Sequence, residues 1–383
     1  MNVPKLRFPE FIGEWEEKTI DSMFEEIKEK NHSSEEVLTI IQGTGTVPRK
    51  KSGRNIIFDE KSLSNYKFVQ KNDFIIHLRS FEGGLEIANS NGIVSPAYII
   101  MRPKFKIASR FYYSYFRSYK FINHVLPVAV EGVRDGRQIK YPILKAETIP
   151  FPSISEQKKI ADFLSNVDSI ITAETKILKT LQKKKKALMQ KLFTQQLRFK
   201  SDDGKDFPAW EEKKLGECVE ILDSRRKPIE SKERANRKGE YPYYGASGII
   251  DYIDDYLFEG ESILLGEDGA NIINRNSRLA FIATGKYWVN NHAHIMKANS
   301  DNLNYFICEY LESLDYSKIC AGSAQPKLTQ DVIRNLTIKA PCKAEQQKIA
   351  KCISSMDLLI QNQQKVVTTW QQRKKALLQQ MFV

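Results

Sequence analysis

One stretch of this chain occurs twice, and that repeat restricts the fold more than anything else in the sequence. SEQKKIADFLSNVDSIITAETKILKTLQKKKKALMQKLF (Ser155 to Phe193) returns 189 residues later as AEQQKIAKCISSMDLLIQNQQKVVTTWQQRKKALLQQMF (Ala344 to Phe382). The copies align without a gap, so Glu156 falls on Glu345, Asp168 on Asp357, Lys185 on Lys374 and Phe193 on Phe382. A long internal period means that one structural unit is used more than once.

Each copy reads as a single helix. Neither contains Pro or Gly after its start, and Ser155 with Glu156 suits a helix N-terminus. Ile160, Val167, Ile171, Leu181 and Leu188 in the first copy, and Ile349, Met356, Ile360, Trp370 and Leu377 in the second, belong to one apolar stripe with three-four spacing. Phe163, Ile170, Ile177, Leu359 and Val366 extend it. At about 1.5 Å per residue such a helix spans roughly 60 Å, too long to hide inside one small domain. The stripe therefore predicts that the helices pack lengthwise on each other as an antiparallel coiled coil; the plainer alternative lays each on its own domain.

Charge follows the same repeat. The chain carries +12, and residues 155–200 hold eleven Lys/Arg against four Asp/Glu while 344–383 hold six against two. The helical segments thus contribute +7 and +4, leaving the remainder near neutral. The runs at 183–186 and 373–375 are either solvated helix faces or surfaces near nucleic acid. Five cysteines, all in the second half and without a CxxC pair, argue against a disulfide framework or zinc site. No apolar run approaches bilayer length, and MNVPKLRFPE lacks the apolar core of a signal peptide, so the expected location is the cytoplasm.

A block of about 140 residues precedes each helix, and the blocks open alike: RFPEFIGEWEEK from Arg7 and DFPAWEEK from Asp206. After that entry their sequences diverge. In the first, 67–80, 92–103 and 146–152 read as strands and 108–126 as one aromatic helix; in the second, 261–266, 278–284 and 334–341 read as strands and 303–314 as a helix. The expected organisation is α+β with an internal pseudo-two-fold: a globular block at 1–153, a helical segment at 154–200, a second block at 201–342 and a second helical segment at 343–383.

The usual catalytic signatures are missing. There is no GxxxxGK[ST], no strand-linked GxGxxG, no GxSxG, no HExxH and no Asn-Pro-Pro-aromatic tetrad. His292-Ala293-His294 would place two imidazoles on one strand face but has no third ligand nearby, so a structural or DNA-facing role is expected and no metal. Short Glu-x-Lys matches such as Glu26-Ile27-Lys28 arise by chance in a Lys/Glu-rich chain, so a dispersed nuclease site stays open. What the blocks do contain is basic, amide and aromatic residues clustered in loops. In the first these are Arg49, Lys50, Lys51, Arg54, Arg79, Arg134, Arg137, Gln138 and Lys140. In the second they are Arg225, Arg226, Lys227, Arg237, Lys238, Tyr243, Tyr244, Ser247, Asn276, Arg278, His292, Gln325 and Lys327. Arg and Gln suit base edges, and Lys suits phosphates, so these are the candidate contacts to double-stranded DNA.

At these residues the chain resembles the specificity subunit (HsdS) of type I restriction–modification enzymes. The resemblance covers nearly the full length. It rests on the two openings, on YPYYGASGIIDYIDDYLFEGESILLGEDG (Tyr241 to Gly269), on NNHAHIM (Asn290 to Met296) and on GSAQPKLTQDVIRNLTIKAP (Gly322 to Pro341) running into EQQKIA. The first block departs from the pattern, with GVRDGRQIKY in place of GSAQPKL. The resemblance implies two target recognition domains held apart by paired helices, in a subunit without catalysis of its own. It further implies two modification subunits docked on the helices, methylating adenine with S-adenosylmethionine, and restriction subunits recruited through them that use ATP and Mg. A stand-alone DNA-modifying enzyme and a scaffold without a DNA role are the competing expectations.

Overall fold

The computed structural model describes residues 3–53, 60–132, 137–320 and 326–382. The two repeated stretches are unbroken helices, Ile154–Phe193 and Lys343–Gln380. The chain divides into two compact units: residues 1–176 with 365–383, and residues 177–364. The division falls inside both long helices, so its limits differ from the four segments read along the sequence. Each unit combines one α+β head with part of each helix.

In the first unit, Glu16–Thr19 pairs antiparallel with Thr148–Phe151 and closes the head just before the first long helix. A four-stranded sheet follows in the order Phe24–Ile27, Ile99–Pro103, Phe74–Ile76, Glu86–Ile87. The hairpin of Leu38–Ile41 and Gly45–Pro48 meets the pair Lys67–Val69 and Gly92–Val94 through a parallel bridge from Val37 to Ile93. Phe24, Phe74, Phe111, Tyr112 and Phe116 fill the core. The aromatic segment is not one helix: Ser109–Tyr115 stops, and Phe121–Val125 forms a separate π-helical turn. Ser118 sits between them, and its hydroxyl accepts the Phe121 amide, which gives the backbone an alternative to helical pairing.

The second unit repeats this plan despite the divergent sequence. Glu211–Lys214 pairs with Thr337–Ala340. Its first sheet runs Val219–Ile221, Ala293–Ala298, Ser262–Gly266, Ala280–Ala283; its second runs Gly248–Ile253, Lys238–Gly245, Lys286–Val289, Phe258–Glu259. The parallel contact of the first head has its counterpart in Tyr243 beside Trp288.

Long helix and head join by the same contacts in each unit. In the first unit Gln157 donates to the Pro152 carbonyl and accepts the Ala108 amide, and Arg7 grips the buried Glu156 through Nε and Nη2 at 2.7 and 2.9 Å. In the second, Gln346 donates to Pro341 and accepts from Leu303, and Arg198 grips the buried Glu345 at 3.1 and 2.7 Å. Phe382 packs edge-on against Phe111 and Tyr115, as Phe193 does against Phe306 and Tyr310.

The helices run antiparallel within each unit. Asp168 receives Lys374 in the first, and Asp357 receives Lys185 in the second, so the repeat supplies two equivalent Lys–Asp pairs. Ile160, Val167 and Ile349 are fully buried, whereas Ile177, Leu359 and Val366, expected in the stripe, are exposed. The two Lys–Asp pairs sit in unlike surroundings. Lys185, with 9% of its side chain exposed, also meets the buried Glu309 at 2.9 Å, while Asp168 is 49% exposed. Removing one partner of a buried pair strands the other and costs about 3–5 kcal/mol, against at most about 1 kcal/mol at the surface. Lys185→Ala should therefore destabilise the protein far more than Lys374→Ala, as read by denaturant unfolding of the two variants.

Candidate nucleic-acid interface

In the first head buried contacts fix the hairpin turn at 42–45, while the candidate residues are spread over several segments. Gly43 and Gly45 have φ of 86° and 91°, and a Cβ on Gly45 would lie 2.5 Å from the Ile87 carbonyl oxygen. A left-handed turn pressed against a neighbouring strand leaves room for glycine alone. Glu86, fully buried, fixes this turn by accepting the Gly43 amide at 2.7 Å and the Tyr113 hydroxyl at 2.9 Å. Asn89 donates to the Thr44 and Thr46 carbonyls. Arg49 is half-buried over the Tyr66 ring, and Lys50 and Lys51 are exposed on the turn that follows. Arg79 pairs with Glu82, and Arg137 lies over the Phe81 ring. Gln138 belongs to a short exposed ladder with Glu131, which Lys140 approaches at 3.6 Å. Arg54 and Arg134 lie outside the described residues.

In the second head several candidates meet through backbone contacts. The Asn290 amide donates to the Tyr244 carbonyl, His292 N–H to the Asn290 side chain, and Glu267 N–H to the His292 carbonyl. Leu328 N–H donates to the Glu267 carbonyl, and Gly269 N–H to Pro326. Residues 244–247, 266–269, 290–294 and 326–328 are thereby neighbours. This group holds Tyr244, Ser247, His292 and Lys327, and Arg226 reaches into it to bond Glu267 at 2.7 Å. His292 pairs with Asp268 at 2.8 Å.

Other candidates stand elsewhere. Arg237 pairs with Asp254, Lys238 with Asp251, and Arg278 with the buried Glu309. Asn276 is exposed after a short helix, Arg225 lies over Phe258, and Lys227 is exposed. Tyr243 is not a surface residue: it is 1% exposed, with its hydroxyl 2.9 Å from the Ile229 amide. Strand alternation sends it inward while Tyr244 turns the other way. Gln325 lies outside the described residues.

The histidine pair also separates. His292 precedes the strand Ala293–Ala298 and is exposed, whereas His294 lies within it and is buried. Donor atoms of His294, Asp223 and Glu267 lie within 4.8 Å of one another, a spacing that would suit a cation. The Arg226 guanidinium stands among them, 2.7 Å from Glu267 and 3.3 Å from Asp223. Burial works against the charge of both carboxylates. The hydrogen bond and charge of His294 on Asp223, and Arg226 and Lys327 with His294 on Glu267, nonetheless hold both below the ordinary carboxylate range. Asp223, Glu267 and Glu86 were missed in the sequence because acidic residues carry no signal of their own in a search for DNA contacts.

These lowered carboxylates stabilise the folded head above their unfolded pKa values, and that contribution is lost as pH falls through the lowered ones. Acidification from about pH 6 to pH 3 should therefore loosen 223–227 and 326–328. Hydrogen exchange corrected for intrinsic rates checks this, and Glu267→Gln should reduce the acid response.

With this geometry in place, comparison with known proteins is informative. Residues 12–183 and 209–369 match the family described as Type I restriction modification DNA specificity domain. Over 338 residues the chain is 26% identical to the type I restriction enzyme MjaVIII specificity subunit of Methanocaldococcus jannaschii, covering 81% of this chain and 78% of that protein. A 147-residue stretch is 34% identical to a Haemophilus influenzae protein described as a type I restriction enzyme specificity subunit; it spans only 37% of that relative and 38% of this chain. In fold the chain is similar to the S subunit of a type I restriction–modification system from M. genitalium, with a TM-score of 0.59, 19% identity and coverage of 100% and 99%. Among the described residues no helix is long and apolar enough to cross a membrane.

Proposed function

The chain belongs to the type I restriction–modification DNA specificity family, and from that premise we propose that it reads a split, non-palindromic DNA site, one half-site per head. One observation carries this reading: two heads of the same topology present unlike loops. A repeated frame with two different readers matches a target whose halves differ in sequence. The heads contact phosphates through exposed lysines such as Lys50, Lys51 and Lys227, and base edges through the loops around 42–49 and 244–247. The long helices set the spacing of the half-sites and dock two modification subunits, for which the exposed Ile177, Leu358 and Leu359 offer apolar area. Catalysis belongs to those partners, with S-adenosylmethionine for methylation and ATP with Mg in restriction subunits recruited through them. The place of work is the cytoplasm.

Mapping methylated adenines genome-wide in cells with and without the gene tests this directly. A bipartite motif should disappear with the gene, and an unchanged methylation pattern would refute the proposal. Four residues inserted within 172–180 should change the preferred spacer and leave both half-sequences intact, as methylation footprints on a library of split sites would report. Binding should weaken steeply with salt, and Lys50→Ala or Lys227→Ala should each lower the slope of log K against log salt by about 1. A salt-insensitive gel shift would favour a scaffold without a DNA role.

A further inference from the structure

In the second head, one buried side chain ties together three segments, two of which carry candidate DNA contacts. His294 is 1% exposed; its Nδ1 lies 2.5 Å from Asp223 Oδ2, and its Nε2 lies 2.8 Å from the Leu328 carbonyl oxygen. Glu267 Oε2 stands 3.8 Å from Nε2. Both ring nitrogens thus face acceptors. The ring therefore joins the segment at 223 to the segment at 328, which are distant along the chain. The remaining Asp223 oxygen accepts the Ile295 amide at 2.9 Å, and Arg226 joins Asp223 to Glu267. Lys327 closes the network on Glu267 at 3.2 Å. The charged groups around the ring are therefore Asp223 and Arg226 from the segment after Val219–Ile221, Glu267 from the turn after Ser262–Gly266, and Lys327 behind Glu267.

Among the described residues, the first head has no histidine at the corresponding position. Its strand Ile99–Pro103 corresponds to Ala293–Ala298, since Phe24 pairs with Pro103 as Val219 pairs with Ala298. In that register Ile76 opposite Ile99 matches Leu265 opposite His294, so an isoleucine occupies the histidine position. The molecule contains its own control.

We propose that the buried His294 ring is a positioning residue for sequence reading by the second head alone, holding 223–227, 266–269 and 326–328 in the arrangement that meets the bases. The inference rests on the split-site reading above. It deepens that reading by assigning half-site selectivity to a residue that does not itself touch DNA.

The test uses the intact complex of this chain with its modification subunits and a library of split duplexes. Half-sites are first assigned to heads by exchanging residues 207–341 for the head of a relative. His294→Gln and His294→Ile, the latter imitating Ile99, should relax discrimination at the second head's half-site by roughly tenfold, the scale of one lost base contact, and leave the other unchanged. Thermal unfolding identifies which variants are folded. In the wild-type complex, hydrogen exchange at 223–227 and 326–328 should slow when a cognate duplex is bound. Unchanged discrimination in a folded variant overturns the proposal, as does equal relaxation at both half-sites. Unchanged exchange of those segments in the wild-type complex on binding DNA overturns it even if neither variant folds. Absence of split-site methylation by the wild-type complex would instead sink the underlying functional reading.

Discussion

Everything else in this structure depends on how a buried carboxylate is held at the start of each long helix. Glu156 and Glu345 are taken out of water, and an unpaired charge there would be prohibitive. Arg7 and Arg198 answer them with two-pronged hydrogen bonds, and Trp210 adds a third donor to Glu345 at 3.1 Å. Both arginines lie close to the entry of a head, so the ion pair binds the beginning of the head to the helix that leaves it. The neighbouring glutamines do the same for the backbone. Gln157 and Gln346 each span the strand that ends the head and the turn that starts its helix, at Ala108 and Leu303. A head seated in this way has its orientation on its helix fixed by hydrogen bonds as well as by apolar contact.

The two units use this common seat with different interiors. The first relies on aromatic packing, with Phe111 and Tyr115 closing on Phe382. The second adds ionic contacts: Lys185 reaches both Asp357 and Glu309, Arg278 covers Glu309, and the Tyr305 hydroxyl donates to Asp357 at 2.5 Å. Burial and that contact with Asp357 push the Tyr305 hydroxyl well above its usual pKa, which keeps it a donor. The repeat conserved Lys and Asp at matching positions, but Ser114 stands where the second head has Glu309, so only one copy has a third charge to bring inside.

The candidate contact surfaces are also built from the inside. Glu86 holds the Gly43 turn of the first head, and His294 with Asp223 and Glu267 holds three segments of the second. In the second head the segments that carry Lys227 and Lys327 are fixed by these buried polar groups, and in the first the turn at 42–45 is. A site meant to distinguish bases needs this, because hydrogen bonds to base edges discriminate only when donors are held in place.

The sequence by itself determined the duplicated helices, their limits to within a few residues, part of their stripe and the matched Asp and Lys positions. Such periodic features are local, and the spacing of residues within one helix is enough to read them. That the two heads share a plan was expected from their like entries and parallel elements, but the strand order was not legible, since strands as short as Glu86–Ile87 and Phe258–Glu259 have no periodicity to detect and take their order from pairing across the sheet. Nor could the sequence tell that Tyr243 turns inward, that Ile177 and Leu359 stay outside, or that Arg226 and Arg278 spend their charge on buried carboxylates. Those outcomes depend on partners distant along the chain: Ile229, Glu267 and Glu309 become neighbours only once the sheets and helices have packed. Local pattern fixed the frame, and long-range pairing decided which of its polar residues face outward.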